Sequence, residues 1–406
     1  MIINIEEYGN IVGKEKIEEL KELAKLIEGK KILMINSTRI GGGVAELISS
    51  YLPLFNDLNV KVQWAVIPGN ETFFTITKKI HNALHGGDIT ITDEEWNYYF
   101  TMNEIFAKSI NEEEYDLIVV HDPQPLPLIL YHKHSVPWIS RLHIDLSSPN
   151  KKIWNKMLKI IRNYDGIIVS SKEYSNHDLN NKKTKVIMPA IDPLKPKNTF
   201  ISKEKCEEIL TKFGINISKP IMAQVSRYDR WKDPVGVIDI FEMVKEKHKD
   251  LQLIILGNEA TDDPEGSQVY KEVLERINKS KYKRSIFALS VNDELLVNAV
   301  QRRSDIIIQK SIKEGFGLVV SEAMYKYKSV IASKVGGIKL QIDDGINGFL
   351  LDPYDYKGFA ERSDLLLKDE ELRNKMGIEA NKKAREHFMI TRLVKDWLEV
   401  MIEYLH

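Results

Sequence analysis

Short apolar runs rich in isoleucine and valine alternate along this chain with longer stretches whose apolar positions recur every three to four residues. Lys31–Asn36, Val60–Ile67, Leu117–His121, Trp138–His143, Gly166–Ser170 and Lys185–Met188 read as strands covered on both faces. Strands alternating with amphipathic helices imply a mostly parallel sheet with helices on both sides. The pattern stops at a polar segment, Pro189 to Pro220, which also carries Pro193 and Pro196. It then restarts, predicting strands over Ile221–Ser226, Leu251–Gly257, Ile286–Leu289, Asp305–Gln309 and Ser329–Ser333. From about Asp369 to Tyr404 the pattern is helical and charged, and one long helix is expected, crossing back onto the first domain over about residues 388–406.

A chain of 406 residues exceeds what one core usually organises. The restart therefore marks a second domain, giving Rossmann-like domains over 1–195 and 196–387, with the C-terminal helix belonging to the first. Composition excludes more than it assigns. With 43% hydrophobic and 29% charged residues and a net charge of -1, no basic surface for nucleic acid is indicated. A single cysteine, Cys206, cannot form an intrachain disulfide, which fits a reducing cytoplasm. The start, Met1 to Glu7, lacks a basic and apolar leader, and no stretch approaches the roughly 18 apolar residues of a membrane span. A soluble cytoplasmic protein without a membrane partner is expected.

The strongest chemical signal follows the strand ending at Gln309: Lys310-Ser311-Ile312-Lys313-Glu314-Gly315-Phe316-Gly317-Leu318, then Val319 to Met324 with Glu322 inside. In an open α/β sheet ligands bind beyond the carboxyl ends of strands. Gly315 and Gly317 let backbone approach a ligand, and a helix starting near Leu318 offers free N–H groups to a phosphate. Glu314 is placed to face a sugar, and Glu322 to accept both hydroxyls of a ribose. After the strand Ile221–Ser226 come Arg227 and Lys232, two cations suited to a departing pyrophosphate.

In the first half, Asn36 to Glu46 contains Gly41-Gly42-Gly43 between a strand and a helix, without dinucleotide-binding spacing. His121-Asp122-Pro123-Gln124-Pro125 and Arg141 to Asn150 are polar loops at strand ends. His143 lies there beside Asp145, Ser147 and Ser148, a group suited to sugar hydroxyls. His81 to Gly87 reads equally as an acceptor-side segment or as a helix with a glycine stop. No His/Cys cluster has metal-ligand spacing, and Asp262-Asp263 and Asp343-Asp344 read as turns, so no metal is expected.

Together the Glu314-to-Glu322 motif, Arg227 with Lys232, and the Gly41–Gly43 loop resemble retaining glycosyltransferases of family 4, whose GT-B fold sets two Rossmann-like domains across a cleft. Within it, His121–Pro125, His143–Asn150, Gly41–Glu46 and Val335-Gly336-Gly337-Ile338 resemble the trehalose glycosyltransferring synthases, from about residue 30 to the C-terminus. The resemblance implies transfer of glucose from UDP-, ADP- or GDP-glucose to free glucose through an α,α-1,1 bond. It also admits trehalose phosphorolysis or another acceptor, and a nucleotide-sugar-binding protein without turnover is the non-enzymatic alternative. The implied sites are Arg227, Lys232, Glu314 and His143 in catalysis; Arg227, Lys232, Gly42, Gly43, Leu318 and Glu322 on the nucleotide and diphosphate; and Gln124, His143, Asp145, Glu314, Gly315, Phe316 and Gly317 on sugar. No cofactor beyond the substrates is required. A Mg2+ requirement and a homodimer are left open by the resemblance, and no motif indicates either. The chain departs from the family at Arg230 and Asp233, where a proline and a glycine are common, and at Tyr327 and Ser329, where a glycine and a proline are.

Overall fold

A computed structural model describes residues 4–39, 42–175, 177–179, 183–257 and 264–406. The chain divides into two compact units, one running to Ala190 and resuming over Ile390–His406, the other spanning Ile191–Met389.

The first unit holds β1 (Lys31–Asn36), β2 (Lys61–Val66), β3 (Leu117–His121), β4 (Trp138–Leu142), β5 (Gly166–Val169) and β6 (Lys183–Val186). All pair in parallel, in the order β2-β1-β3-β4-β5-β6. β3, β4 and β5 are buried at every position, as their unbroken apolar runs require when helices cover both faces. The order reverses between β1 and β3, so the loops after these strands diverge and leave a crevice at their carboxyl ends.

The second unit holds β7 (Ile221–Val225), β8 (Gln252–Gly257), β9 (Ile286–Ser290), β10 (Ile306–Gln309), β11 (Val330–Ser333) and β12 (Gly348–Leu351). Its parallel order, β12-β11-β10-β7-β8-β9, is the Rossmann arrangement, with the switch between β7 and β10. The pattern along the chain does not reveal β12. It is a four-residue edge strand opening on glycine, entered through the Asp343-Asp344-Gly345 turn, where Gly345 N–H donates to Gly348 O at 2.8 Å. Asp262 and Asp263 lie outside the described residues.

One boundary differs from expectation. The unit boundary falls at Ala190/Ile191 rather than 195, because residues Asp192–Thr199 are fastened to second-unit helices: Asn298 Nδ2 donates to the carbonyls of Pro196 and Thr199, each at 2.7 Å. The helical stretch from about Asp369 is two helices, Glu370–His387 in the second unit and Ile390–Leu405 in the first, the latter being the returning helix expected over about 388–406. The break holds because Phe388 is buried on Phe316 and its carbonyl accepts from Ile191 N–H at 2.8 Å. Helix Ile390–Leu405 then inserts Trp397 between Tyr51 and His121 of the first unit.

The two family glycines replaced in this chain both occupy left-handed backbone, Asp233 at φ 45° and Tyr327 at φ 62°. Aspartate tolerates that region, and Asp233 uses its side chain there to cap helix Pro234–Lys245 through Gly236 N–H at 3.0 Å. Tyr327, more than half exposed, has no such return and carries a strain of about 1–2 kcal/mol. No helix among the described residues is long and apolar enough to cross a membrane.

Candidate active site

In the second unit the switch between β7 and β10 brings together what the sequence separates by 82 residues. Lys232 Nζ lies 2.6 Å from Glu314 Oε2, and Ser311 Oγ donates to the same oxygen at 3.2 Å. The pair is mostly shielded, at 16% and 9% side-chain exposure. Arg227, half exposed, follows the same strand and has Asp229 Oδ2 at 3.7 Å.

Both sides of this pair are held from beneath. The Lys232 carbonyl accepts from Gln224 Nε2 at 2.7 Å. Next to it, the Asp233 carboxylate receives the fully buried Lys310, whose ammonium also sits 4.3 Å from the Tyr356 ring centre. On the other side, Gly317 turns the chain at φ 81° into helix Leu318–Tyr325, a conformation that a side chain would strain. A Cβ there would also come within 3.2 Å of Glu314 Cγ. Gly337 permits the 314–317 loop to pack closely, since a Cβ on it would lie 2.8 Å from the Gly315 oxygen, which instead accepts from Gly337 N–H at 2.9 Å. The Phe316 ring is buried on Phe388 and its carbonyl accepts from Gln341. Leu318 opens the helix, and one turn along it Glu322 is buried and ion-paired with Lys197 at 2.7 Å. Burial works to raise the Glu322 pKa, but the charges of Lys197 and Lys326 outweigh it and hold the carboxyl below its ordinary value.

In the first unit, helix Gly42–Asp57 begins beyond β1; Gly41 lies outside the described residues. Gly43 is exposed, and a Cβ on it would meet nothing within 4 Å, so packing does not explain its being glycine. Beyond β3 and β4 the rings of His121 and His143 stack, with Nδ1 and Nε2 3.1 Å apart. Burial, then the charge of Arg141, lowers His121 to about 3 and depresses His143 strongly, so both are neutral at pH 7. Burial raises Asp122 to about 7 against the opposing pull of the His143 N–H, which donates to its Oδ1 at 2.7 Å, and of Arg141. Arg141 is itself buried; its Nη2 donates to Ile187 O and Ser170 Oγ, while Nη1 is buried without a hydrogen-bond partner. Gln124 Oε1 is likewise buried and unpartnered. Asp145 Oδ1 accepts from Ser147 N–H at 2.9 Å, and Asn150 N–H donates to Ala83 O, tying this loop to the 83–87 turn. That turn is a helix stop, with helix Glu71–Leu84 ending before left-handed Gly86 at φ 91°.

The structure thus assembles Lys232 with Glu314, and His143 with His121 and Asp122. Motif reading passes over Asp122, Arg141, Lys197, Lys310 and Ser311. Asp122 and Arg141 stood inside loops already marked, and the charge of Arg141 at the end of an apolar strand was a readable signal. Lys197 had none, since a lone lysine reads as surface, and within the marked 310–318 segment nothing distinguished Lys310 or Ser311 from its neighbours. No group of side chains able to hold a metal ion occurs among the described residues.

Two family models match the chain: "Trehalose synthase, N-terminal domain" over residues 34–176 and "Glycosyl transferases group 1" over residues 206–383. The trehalose synthase of Thermococcus litoralis is 39% identical over 398 residues, covering 98% of this chain and 96% of that protein. A trehalose phosphorylase from Pleurotus pulmonarius is 28% identical, covering 100% of this chain and 61% of its own length. Among solved structures, a UDP-forming α,α-trehalose-phosphate synthase from Burkholderia xenovorans superimposes with a TM-score of 0.74 over 93% of this chain and 98% of that one, at 15% identity. At that identity the likeness concerns the fold, two parallel-sheet α/β domains of GT-B type.

Proposed function

The chain belongs to the trehalose synthase family of glycosyltransferases, and from that premise we propose that it forms trehalose by moving glucose from a nucleoside diphosphate glucose to free glucose, with retention. The observation that carries this reading is the shielded Lys232–Glu314 pair at the switch point of the second unit. Each charge neutralises the other in the protein alone. A donor diphosphate offers Lys232 a stronger anion, and Glu314 becomes an acceptor for sugar hydroxyls. Arg227 adds a second cation for the diphosphate, the helix opening at Leu318 contributes backbone N–H groups to it, and Glu322 takes the ribose. Gly315 and Gly317 let the backbone come up to the sugar.

In the transfer, the bond from glucose C1 to the diphosphate oxygen breaks with its electron pair going to the nucleoside diphosphate. The acceptor O1 bonds to C1 on the same face, and its proton goes to the leaving phosphate oxygen. Charge therefore grows on the phosphate, where Lys232 and Arg227 stabilise it, and no protein nucleophile is required. His143, Gln124 and Asp145 are assigned to sugar hydroxyls, where a neutral imidazole and an unpartnered amide oxygen are suited to hydrogen bonding rather than to charge.

The test is a matrix of UDP-, ADP- and GDP-glucose against glucose, glucose 6-phosphate and inorganic phosphate, with product linkage identified. Glucose-dependent release of nucleoside diphosphate and appearance of trehalose support the reading. Release of glucose 1-phosphate from trehalose and phosphate, without nucleotide, would make the chain a phosphorylase instead. A donor bound without any turnover would leave it a nucleotide-sugar-binding protein.

A further inference from the structure

The loop Asp192–Thr199 opens the second unit, and several of its polar groups bond one another or the helices beside it. Asn198 is completely buried, its Nδ2 donating to Asp192 O and its Oδ1 accepting from Lys326 Nζ, both at 2.9 Å. Arg302 Nη2 donates to the carbonyls of Asn198 and Thr199 at 3.2 and 3.0 Å, beside the two bonds from Asn298. A loop pinned at this many points has one geometry, and that geometry delivers Lys197 to Glu322. Nζ lies 2.7 Å from Oε1, with 14% of the lysine side chain and 2% of the glutamate exposed. Lys326, also beside Glu322, gives its hydrogen bonds to Asn198 Oδ1, Gln301 Oε1 and the Glu322 backbone carbonyl. Lys197 is therefore the lysine that bonds the carboxylate.

We propose that Lys197 is a specificity-determining positioning residue for the donor's ribose: it holds Glu322 by one oxygen and leaves the remaining lone pairs for the ribose hydroxyls. The inference rests on the assignment of Glu322 to ribose made above. An ionised carboxylate has about four lone-pair sites, so the contacts from Lys197 and from the Gln301 side chain still leave room for two hydroxyl donors. Without a bonded cation, a carboxyl this deeply buried takes up a proton more readily, and a protonated carboxyl is a poorer acceptor for two hydroxyls at once. A free rotamer would add to the loss, since hydroxyl recognition needs the acceptor fixed before the ligand arrives. A lysine from the loop that opens the second unit thus sets how strictly the enzyme demands a ribonucleotide.

The test measures KM and kcat for the ribo and 2′-deoxyribo forms of UDP-, ADP- and GDP-glucose in the full-length wild type, K197M, K197Q, K197R and E322Q, with thermal melting of each. Wild type is expected to show a KM about 10- to 100-fold higher for the deoxy form of its preferred donor, the worth of one hydrogen bond to a charged group. In K197M and K197Q that ratio falls to within about threefold, ribonucleotide KM rises about tenfold, kcat changes less than KM, and K197R recovers part of the ratio. If K197M does not fold, K197Q and K197R carry the comparison. A wild-type ratio in the folded neutral variants, with a collapsed ratio in E322Q, overturns the role of Lys197 alone. An unchanged ratio in E322Q, or none in wild type, removes the ribose assignment itself and this proposal with it.

Discussion

Replacing Lys232 with methionine keeps the aliphatic stem and removes the charge that Glu314 faces at 2.6 Å. At 16% and 9% exposure the pair is not a surface ion pair, and deleting one partner leaves a poorly solvated carboxylate. Partial exposure reduces the full cost of a buried pair to about 1–3 kcal/mol, which for a unit of this size lowers the melting temperature by about 2–12 °C. The catalytic effect is separate: losing one preorganised group that stabilises charge in the transition state cuts kcat by about 100- to 1,000-fold. Thermal melting and initial rates at saturating donor read the two effects independently. Pairing with Glu314→Gln separates them further, because the double variant has no unpaired charge. Its stability is expected to recover towards wild type, with a coupling of about 1–2 kcal/mol, while its kcat stays as low as that of the worse single variant. A K232M enzyme within twofold of wild-type kcat, or single-variant stabilities that simply add, would refute the reasoning.

Three further outcomes follow from the geometry. Gly317→Ala places a Cβ at φ 81° and 3.2 Å from Glu314 Cγ, so it should cost about 1–2 kcal/mol in chemical denaturation and lower kcat/KM for the donor; an unchanged kcat/KM would show that the turn does not position Glu314. Tyr327→Gly relieves left-handed strain of similar size but frees the unfolded chain, for a net gain of about 0.5–1 kcal/mol in urea denaturation; a loss of stability would mean that the tyrosine makes compensating contacts. Asp122, raised to about 7 from 3.8, favours the folded state while protonated and loses that contribution as pH rises from about 4 through 7. Asp122→Asn keeps a side chain that tolerates φ 63° and can accept from His143 N–H, so its stability relative to wild type should increase between pH 4 and 8; a flat difference in urea midpoints would place the carboxyl in an ordinary environment.

The sheet strands of both units were legible because strands covered on both faces leave uninterrupted apolar runs, as Ile306–Gln309 and Leu117–His121 do. β12 was not, since four residues at an edge carry too little pattern; the helix returning over about 388–406 was placed, but not what holds the turn before it, which depends on burial of Phe388 against Phe316 and a bond from Ile191. Glu314, Gly317 and Lys232 could be marked because a glycine loop after a buried strand has few other reasons to exist. The packing of the Phe316 ring on Phe388 was not legible, because a motif does not say which way an aromatic side chain turns. Lys197 and Lys310 were invisible for a different reason: their partners, Glu322 and Asp233, lie far away in sequence, and only the fold reveals that these lysines are shielded. The same holds for the histidine pair, whose neutrality comes from burial and from Arg141 rather than from local sequence.

The central claim is transfer of glucose from a nucleotide donor to glucose with retention, and one measurement bears on it most directly. The full-length protein is incubated with its preferred nucleoside diphosphate α-[1-13C]glucose and unlabelled glucose, and the product is followed by 13C NMR. The account predicts a single non-reducing disaccharide with the label at an α-anomeric carbon and stoichiometric nucleoside diphosphate. A β-configured or reducing disaccharide, or nucleotide release with only free glucose as product, would contradict it.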